Sequence, residues 1–367
     1  MIWNKINYCG FLPSKDPLQV LPVGDYYFVL EFLGKNLPLY LEQRKWREEV
    51  VSVLRSYHPF YPNVTDKDYY AINERMMLLY SYFASAYVYA NYETPAARLP
   101  KEIAQPLMHL SLTLKRPPIL SYASYCLYNW RRKSIGEVEV DNIELLQNFS
   151  LNNKTDEDWF ILIHVDIEYK ARIAVQALYQ VLNNYAPILP ALSTIFDALQ
   201  AMNSTLKRMP EHCHPENYFN KVRPYIFGFN GVDYEPAFGA KSLRGETGAQ
   251  SSIIPSLLAF FGIKHKRTIL TDHLEDMRNY MPYDHREFIK GIETAEFSLR
   301  DSCKESPELK DLYNLCLEEI IEFRKTHFNY AIDYIQAKVS NPKGTGGTPY
   351  IEWLGELIKE TEEFILR

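Results

Sequence analysis

Apolar residues recur every three or four positions along most of this chain, a spacing that admits a helical fold and little else. Residues 68–92, 156–185, 190–208, 309–339 and 350–366 all carry it. Alternation of the strand kind is scarce, and VEV at 138–140 is the best instance. Prolines stand where helices should stop, at Pro106, Pro117, Pro118, Pro187, Pro190, Pro210 and Pro282, because proline breaks the helical hydrogen-bond ladder. The expected fold class is all-α. At 367 residues the chain is longer than one compact core usually spans, and the polar stretch 131–157 offers a border. We expect a small N-terminal helical domain, 1–150, set on a large helical bundle domain, 151–367. Two segments read as long loops: 229–252, rich in Gly, Ser and Thr, and SNPKGTGGT at 340–348. Long loops in helical proteins often form the walls or lids of sites.

Charge and cysteine usage remove whole classes of function. A net charge of −6, with no basic stripe, argues against a nucleic-acid partner. The five cysteines are scattered and none forms a CxxC pair, so neither a disulfide framework nor a zinc site is expected. No apolar run reaches the roughly 18 residues of a membrane span, and no signal-peptide pattern opens the chain. A cytoplasmic protein without membrane partners is the expectation. GTGGT at 344–348 lacks the strand and helix that a dinucleotide loop needs. HCH at 212–214 lies in a Pro-flanked loop with no further ligand at zinc spacing. The 28 tyrosines are an excess that suits either aromatic cavities or, more commonly, a tyrosine-rich core.

The helix over 309–339 carries the residue of greatest chemical interest. Its apolar face runs Leu312, Cys316, Ile320, Phe323, His327, Ala331 and Tyr334, with His327 in the middle of the stripe. A histidine there is either a hydrogen-bonded core residue, the commoner case, or a ligand. Arg324, one turn earlier, adds a cation that suits a nearby anion. Phe160, His164, Ile167 and Ala171 repeat the pattern on the helix near 158–184. Two helices presenting one histidine each could sandwich a flat cofactor.

Eight segments, in order, then resemble one family, the indoleamine 2,3-dioxygenases. They are GFLP with PLQVLP near the start, RPPILSYASYCLYNW at 116–130, DWFILIHVDIE at 158–168 and ENYFNKVRPYIFGF at 216–229. GAQSSIIPSLLAFFGI at 248–263, DMRNYMPYDHREF at 276–288, FRKTHFNYAIDYI at 323–335 and KGTGGT at 343–348 complete them. The resemblance implies a helical two-domain fold around b-type haem, O2 as co-substrate, an electron donor that keeps the iron ferrous, and L-tryptophan or a related indole as substrate. It places the proximal iron ligand at His327 and a propionate partner at Arg324, with Thr247 near the haem edge. Tyr122, Tyr125, Cys126 and Phe160 fall on the wall of the indole pocket. Tyr218, Phe219 and Arg223 fall on the residues that hold the amino acid, Arg223 taking its carboxylate. Thr345 falls on a loop that closes over substrate.

The chain departs from that pattern at three places. His164 stands where the animal enzymes usually have serine, which makes the distal side similar to tryptophan 2,3-dioxygenase and casts His164 as a catalytic residue. Bulky Tyr125 replaces a small pocket cysteine and Cys126 its neighbouring valine, and Arg244 and Glu246 occupy positions where small residues are common. Two other readings stay open at this point: a haem enzyme of the same fold with different indole chemistry, and a haem-binding sensor without catalysis.

Overall fold

The computed structural model describes residues 6, 9–57, 67–91, 93–152, 154–335 and 350–367. Helices come first as α1 (Asp25–Glu42), α2 (Trp46–Arg55), α3 (Lys67–Tyr89) and α4 (Lys101–Leu114). After a polar stretch come α5 (Lys154–Leu182) and α6 (Ile188–Lys207), then the short α7 (Pro215–Asn217). α8 (Ile253–Phe261), α9 (Ile269–Arg278), α10 (Tyr283–Glu293) and α11 (Leu299–Lys304) precede the long α12 (Pro307–Tyr334) and α13 (Tyr350–Glu362). The all-α expectation holds. α6 packs between α5 and α12, and this trio supports the rest.

Local chemistry starts these helices where they start. Ser306 caps α12 by accepting from the Leu309 N–H, with Pro307 in the first turn, a position that lacks an internal partner anyway. Asp156 lies in the first turn of α5, where negative charge meets the positive end of the helix dipole. α9 opens with a capping box between Thr268 and Thr271,.

Pro106 does not stop a helix; it sits inside α4. A proline in a helix interior costs about 3 kcal/mol. α4 also buries Ile103, Ala104, Leu107, Leu110 and Leu114, and burying each large aliphatic side chain contributes roughly 1.5–3 kcal/mol. Packing wins over local propensity there.

The small sheets lie elsewhere than VEV suggests. β1 (Arg98–Leu99) pairs in parallel with β4 (Phe229–Tyr234), which pairs antiparallel with β5 (Ala240–Leu243). β2 (Trp130–Arg132) pairs antiparallel with β3 (Ile143–Leu145). At 138–140 the alternation is real but serves a different neighbour. Val138 and Val140 are buried, while Glu137 and Glu139 pair with Arg172 and Lys170 on α5. The 229–252 loop is likewise half hairpin. Its glycines mark a close crossing, because a Cβ on Gly245 would meet the Ile226 carbonyl at 2.3 Å, and one on Gly228 the Leu243 carbonyl at 2.4 Å. Our proposed domain border near residue 150 falls between β3 and α5.

Tyrosines act as pins between elements. Tyr234 donates to the Pro118 carbonyl at 2.6 Å, Tyr334 to Cys213 at 2.6 Å and Tyr313 to Phe261 at 2.9 Å. Tyr89 donates to the Gly228 carbonyl. Each ring fills the core while its hydroxyl satisfies a carbonyl that no helix or strand pairs.

Candidate active site

A cavity of about 1100 Å³ opens between α5, α6, α8, α12 and α13. Its size lies a little above the usual range for ligand sites, roughly 300 to 1,000 Å³, and its lining is mainly apolar. His164 from α5 and His327 from α12 both face it. The two helices do present their histidines to one space.

The two imidazoles are held differently. His164 has Nδ1 2.7 Å from the Phe160 carbonyl. A carbonyl only accepts, so Nδ1 carries the proton and Nε2 keeps a free lone pair. Burial pushes the pKa of His164 down, which keeps this ring neutral. Phe160 and Tyr122 pack on it at centroid distances of 4.7 and 6.0 Å.

No described residue hydrogen-bonds the His327 ring. The apolar stripe of α12 holds as core at Cys316 and Ile320, but it opens on the cavity at Phe323 and His327. The accessible surface of His327 is cavity wall. Desolvation by the surrounding walls, with His164 adding to it, lowers its pKa to about 4. A neutral, unclaimed imidazole aimed into an apolar cavity is the donor that a haem iron takes. Among the described residues no three His, Cys, Asp or Glu gather as a metal site, so a metal at His327 fits best inside a group that brings its own ligands. The residues present therefore fit haem.

Arg324 also lines the cavity, but its guanidinium is engaged with α13 and the segment after α8. It donates to the Leu357 carbonyl at 2.6 Å, to the Thr361 hydroxyl, and to His265 Nε2 at 3.1 Å. His265 in turn donates from Nδ1 to Glu360 at 2.6 Å. Burial pulls the Arg324 pKa down to about 10, leaving it cationic near neutrality.

The remaining expected residues divide into two groups. Tyr122, Phe160, Tyr218 and Thr247 line the cavity. Tyr125, Cys126, Phe219 and Arg223 are absent from its lining. Tyr125 and Cys126 are fully buried, with Tyr125 packed against Phe160 at 6.5 Å. Arg223 is buried and lies over the rings of Phe219 and Phe227, at 5.4 and 4.5 Å. Thr345 and the 340–348 loop lie outside the described residues.

Both aromatic segments, Ala123–Leu127 and Tyr218–Val222, are single π-helical turns, a geometry common at functional sites. Sequence spacing alone does not signal them. The sequence reading also missed the scaffold behind Tyr122. Gln250 accepts from the Tyr122 backbone N–H at 2.9 Å, and Glu168 accepts from the Tyr122 and Ser251 hydroxyls at 3.0 and 2.7 Å. Burial raises the pKa of Glu168 to about 7. Its place one turn after His164 was the available clue.

Against known proteins, residues 5–364 match the profile described as indoleamine 2,3-dioxygenase. The chain is 28% identical to indoleamine 2,3-dioxygenase 1 of Rattus norvegicus, over 95% of this chain and 92% of that protein. It is 26% identical to the 6-hydroxytryptophan 2,3-dioxygenase of Fusarium equiseti, over 94% and 92%. It is 25% identical to the indoleamine 2,3-dioxygenase of Saccharomyces cerevisiae, over 89% and 78%.

Proposed function

This chain belongs to the indoleamine 2,3-dioxygenase family and is a haem-dependent dioxygenase, and we propose that its substrate is L-tryptophan or a close indole relative. Both atoms of O2 are inserted across the indole C2–C3 bond, giving an N-formylkynurenine-type product. Neutral His327 would hold b-type haem in this cavity, with Arg324 available to a propionate and Thr247 beside it. An external electron donor keeps the iron ferrous. Haem, when bound, supplies the oxygen chemistry, and the protein supplies placement and electrostatics.

The observation that carries this reading is the pair of unlike histidines on one cavity. His327 has no described partner on its ring, while His164 keeps its proton on Nδ1 and offers Nε2 as an acceptor. That acceptor suits an indole N–H. Phe160 and Tyr122 would bound the ring plane and Tyr218 the amino-acid end, with Phe219 and Arg223 off the lining beside it. In this reading Tyr125 and Cys126 shape the pocket from behind those rings. Arg223 would take the carboxylate by a bidentate, charge-assisted pair. The 340–348 loop, with Thr345, would close the site to water. Hydroxylated indoles belong among the substrates to be tried, given the relative named for 6-hydroxytryptophan.

The test is direct. The protein is loaded with haem and reduced, then given L-tryptophan and O2 while absorbance is followed. Growth of the N-formylkynurenine-type band with matching oxygen uptake is expected. Tryptophan-dependent spectral change without oxygen uptake overturns the dioxygenase reading in favour of a haem-binding sensor.

A further inference from the structure

Glu246 is a carboxyl group in the wall of the cavity, only 2% exposed, among Tyr122, Phe160, His164 and Tyr218. The chain holds it there firmly. Its N–H donates to the Ile226 carbonyl at 3.0 Å, beside the Gly228–Gly245 crossing that admits no side chain. On the other side Gln250 ties the segment together, donating to the Gly245 carbonyl at 2.9 Å and accepting from the Tyr122 N–H. A rigid backbone thus presents an acid to an apolar space, at a position where the resemblance leads one to expect a small residue.

The electrostatic surroundings say what this acid faces. Burial is the main cause that raises the pKa of the Tyr218, Tyr122 and Tyr125 hydroxyls and of the Cys126 thiol, and the Glu246 carboxylate adds to it in each case. Tyr218 also feels Arg223, in the opposite sense. Tyr218 therefore stands within reach of an anion and a cation. Burial raises the pKa of Glu246 itself to about 8, and an arriving cation favours its ionised form. A zwitterionic amino acid carries the complement of both groups.

We propose that Glu246 receives the α-ammonium group of the substrate while Arg223 takes its carboxylate, so that Glu246 selects indole amino acids and amines over indole carboxylates. The proposal rests on the indole reading of the cavity and adds a specificity-determining residue to it. A charge-assisted hydrogen bond of this kind changes affinity by about tenfold to a hundredfold.

The haem-loaded protein and its Glu246→Gln variant are titrated with L-tryptophan, tryptamine and indole-3-propionate, following the Soret shift. Glu246→Gln is expected to weaken tryptophan and tryptamine by about tenfold to a hundredfold, and to leave indole-3-propionate unchanged or tighter. Glu246→Asp, which keeps the charge, should recover part of the preference for amines. Equal changes for all three ligands, or none, overturn the proposal, since a merely structural role cannot sort ligands by their amine. Because the readout is binding, tryptophan bound with this discrimination but not oxidised removes the dioxygenase reading and leaves Glu246 standing. Binding of none of the three removes both.

Discussion

The two helical walls of the cavity treat their polar atoms in opposite ways. On α5, His164 is tied to the Phe160 carbonyl, and Glu168 gathers the hydroxyls of Tyr122 and Ser251. On α12, Arg324 is bound to α13, yet His327 meets no described hydrogen-bonding partner at all. A protein that ties down one ring nitrogen of one histidine and leaves its neighbour bare has set one wall to hold a shape and the other to receive a guest.

The largest expected effect separates the two histidines outright. His327→Ala should lose haem and its Soret band, while His164→Ala should keep both. Full haem retention in the His327 variant would erase the distinction between the walls. Next in size is Arg223, which belongs to neither helix and fixes the far end of the ligand. Arg223→Ala should lower kcat/KM for L-tryptophan by about 2–4 kcal/mol, the worth of a bidentate charge-assisted pair. An unchanged kcat/KM would move the carboxylate elsewhere.

A smaller effect tests the acceptor on α5. If Nε2 of His164 takes the indole N–H, a methyl on that nitrogen removes the donor and crowds the ring. 1-Methyl-tryptophan should then bind at least about tenfold more weakly than tryptophan, and His164→Ser should narrow the gap. Equal affinity for both compounds in the wild type would take His164 out of the site.

The smallest effect concerns Glu168. Its pKa is near 7 in the fold and about 4.5 unfolded, so the folded state holds an extra proton between those values. Stability from this group is complete below pH 4.5 and is lost as pH rises through 7. In the haem-free protein, Glu168→Gln should flatten the fall in Tm between pH 5 and 8 by roughly 2 °C or more. Identical slopes for the two proteins would show that the carboxyl is not protonated in the fold.

Long amphipathic helices were the legible part of the sequence. α5, α6, α12 and α13 lie within about two residues of their expected starts. α4 was harder because Pro106 signalled a stop that burial overrides. The hairpin β4–β5 was hidden because its glycines look like loop composition, while Gly231 and Gly239 take positive φ within it and Gly228 and Gly245 cross closely at its base. Both histidines were found from their apolar neighbours. Nothing in that pattern distinguishes the bonded ring of His164 from the open ring of His327, because the difference depends on which carbonyl or cavity lies across from each nitrogen. Tyr125, Cys126, Phe219 and Arg223 sit off the cavity lining for a similar reason. A π-turn shifts the facing of the side chains that follow it, and helical spacing cannot foretell that.

The buried tyrosines give the protein a means of reporting its own opening. Tyr82, Tyr122, Tyr125 and Tyr234 are all buried, and desolvation raises each hydroxyl well above its ordinary pKa. They cannot surrender their protons one at a time while the core is closed. As pH is raised, phenolate absorbance should arrive in a late, steep step when the chain unfolds, where free tyrosines would ionise gradually near pH 10. Ultraviolet absorbance alone would then mark the alkaline limit of the fold, with no added dye.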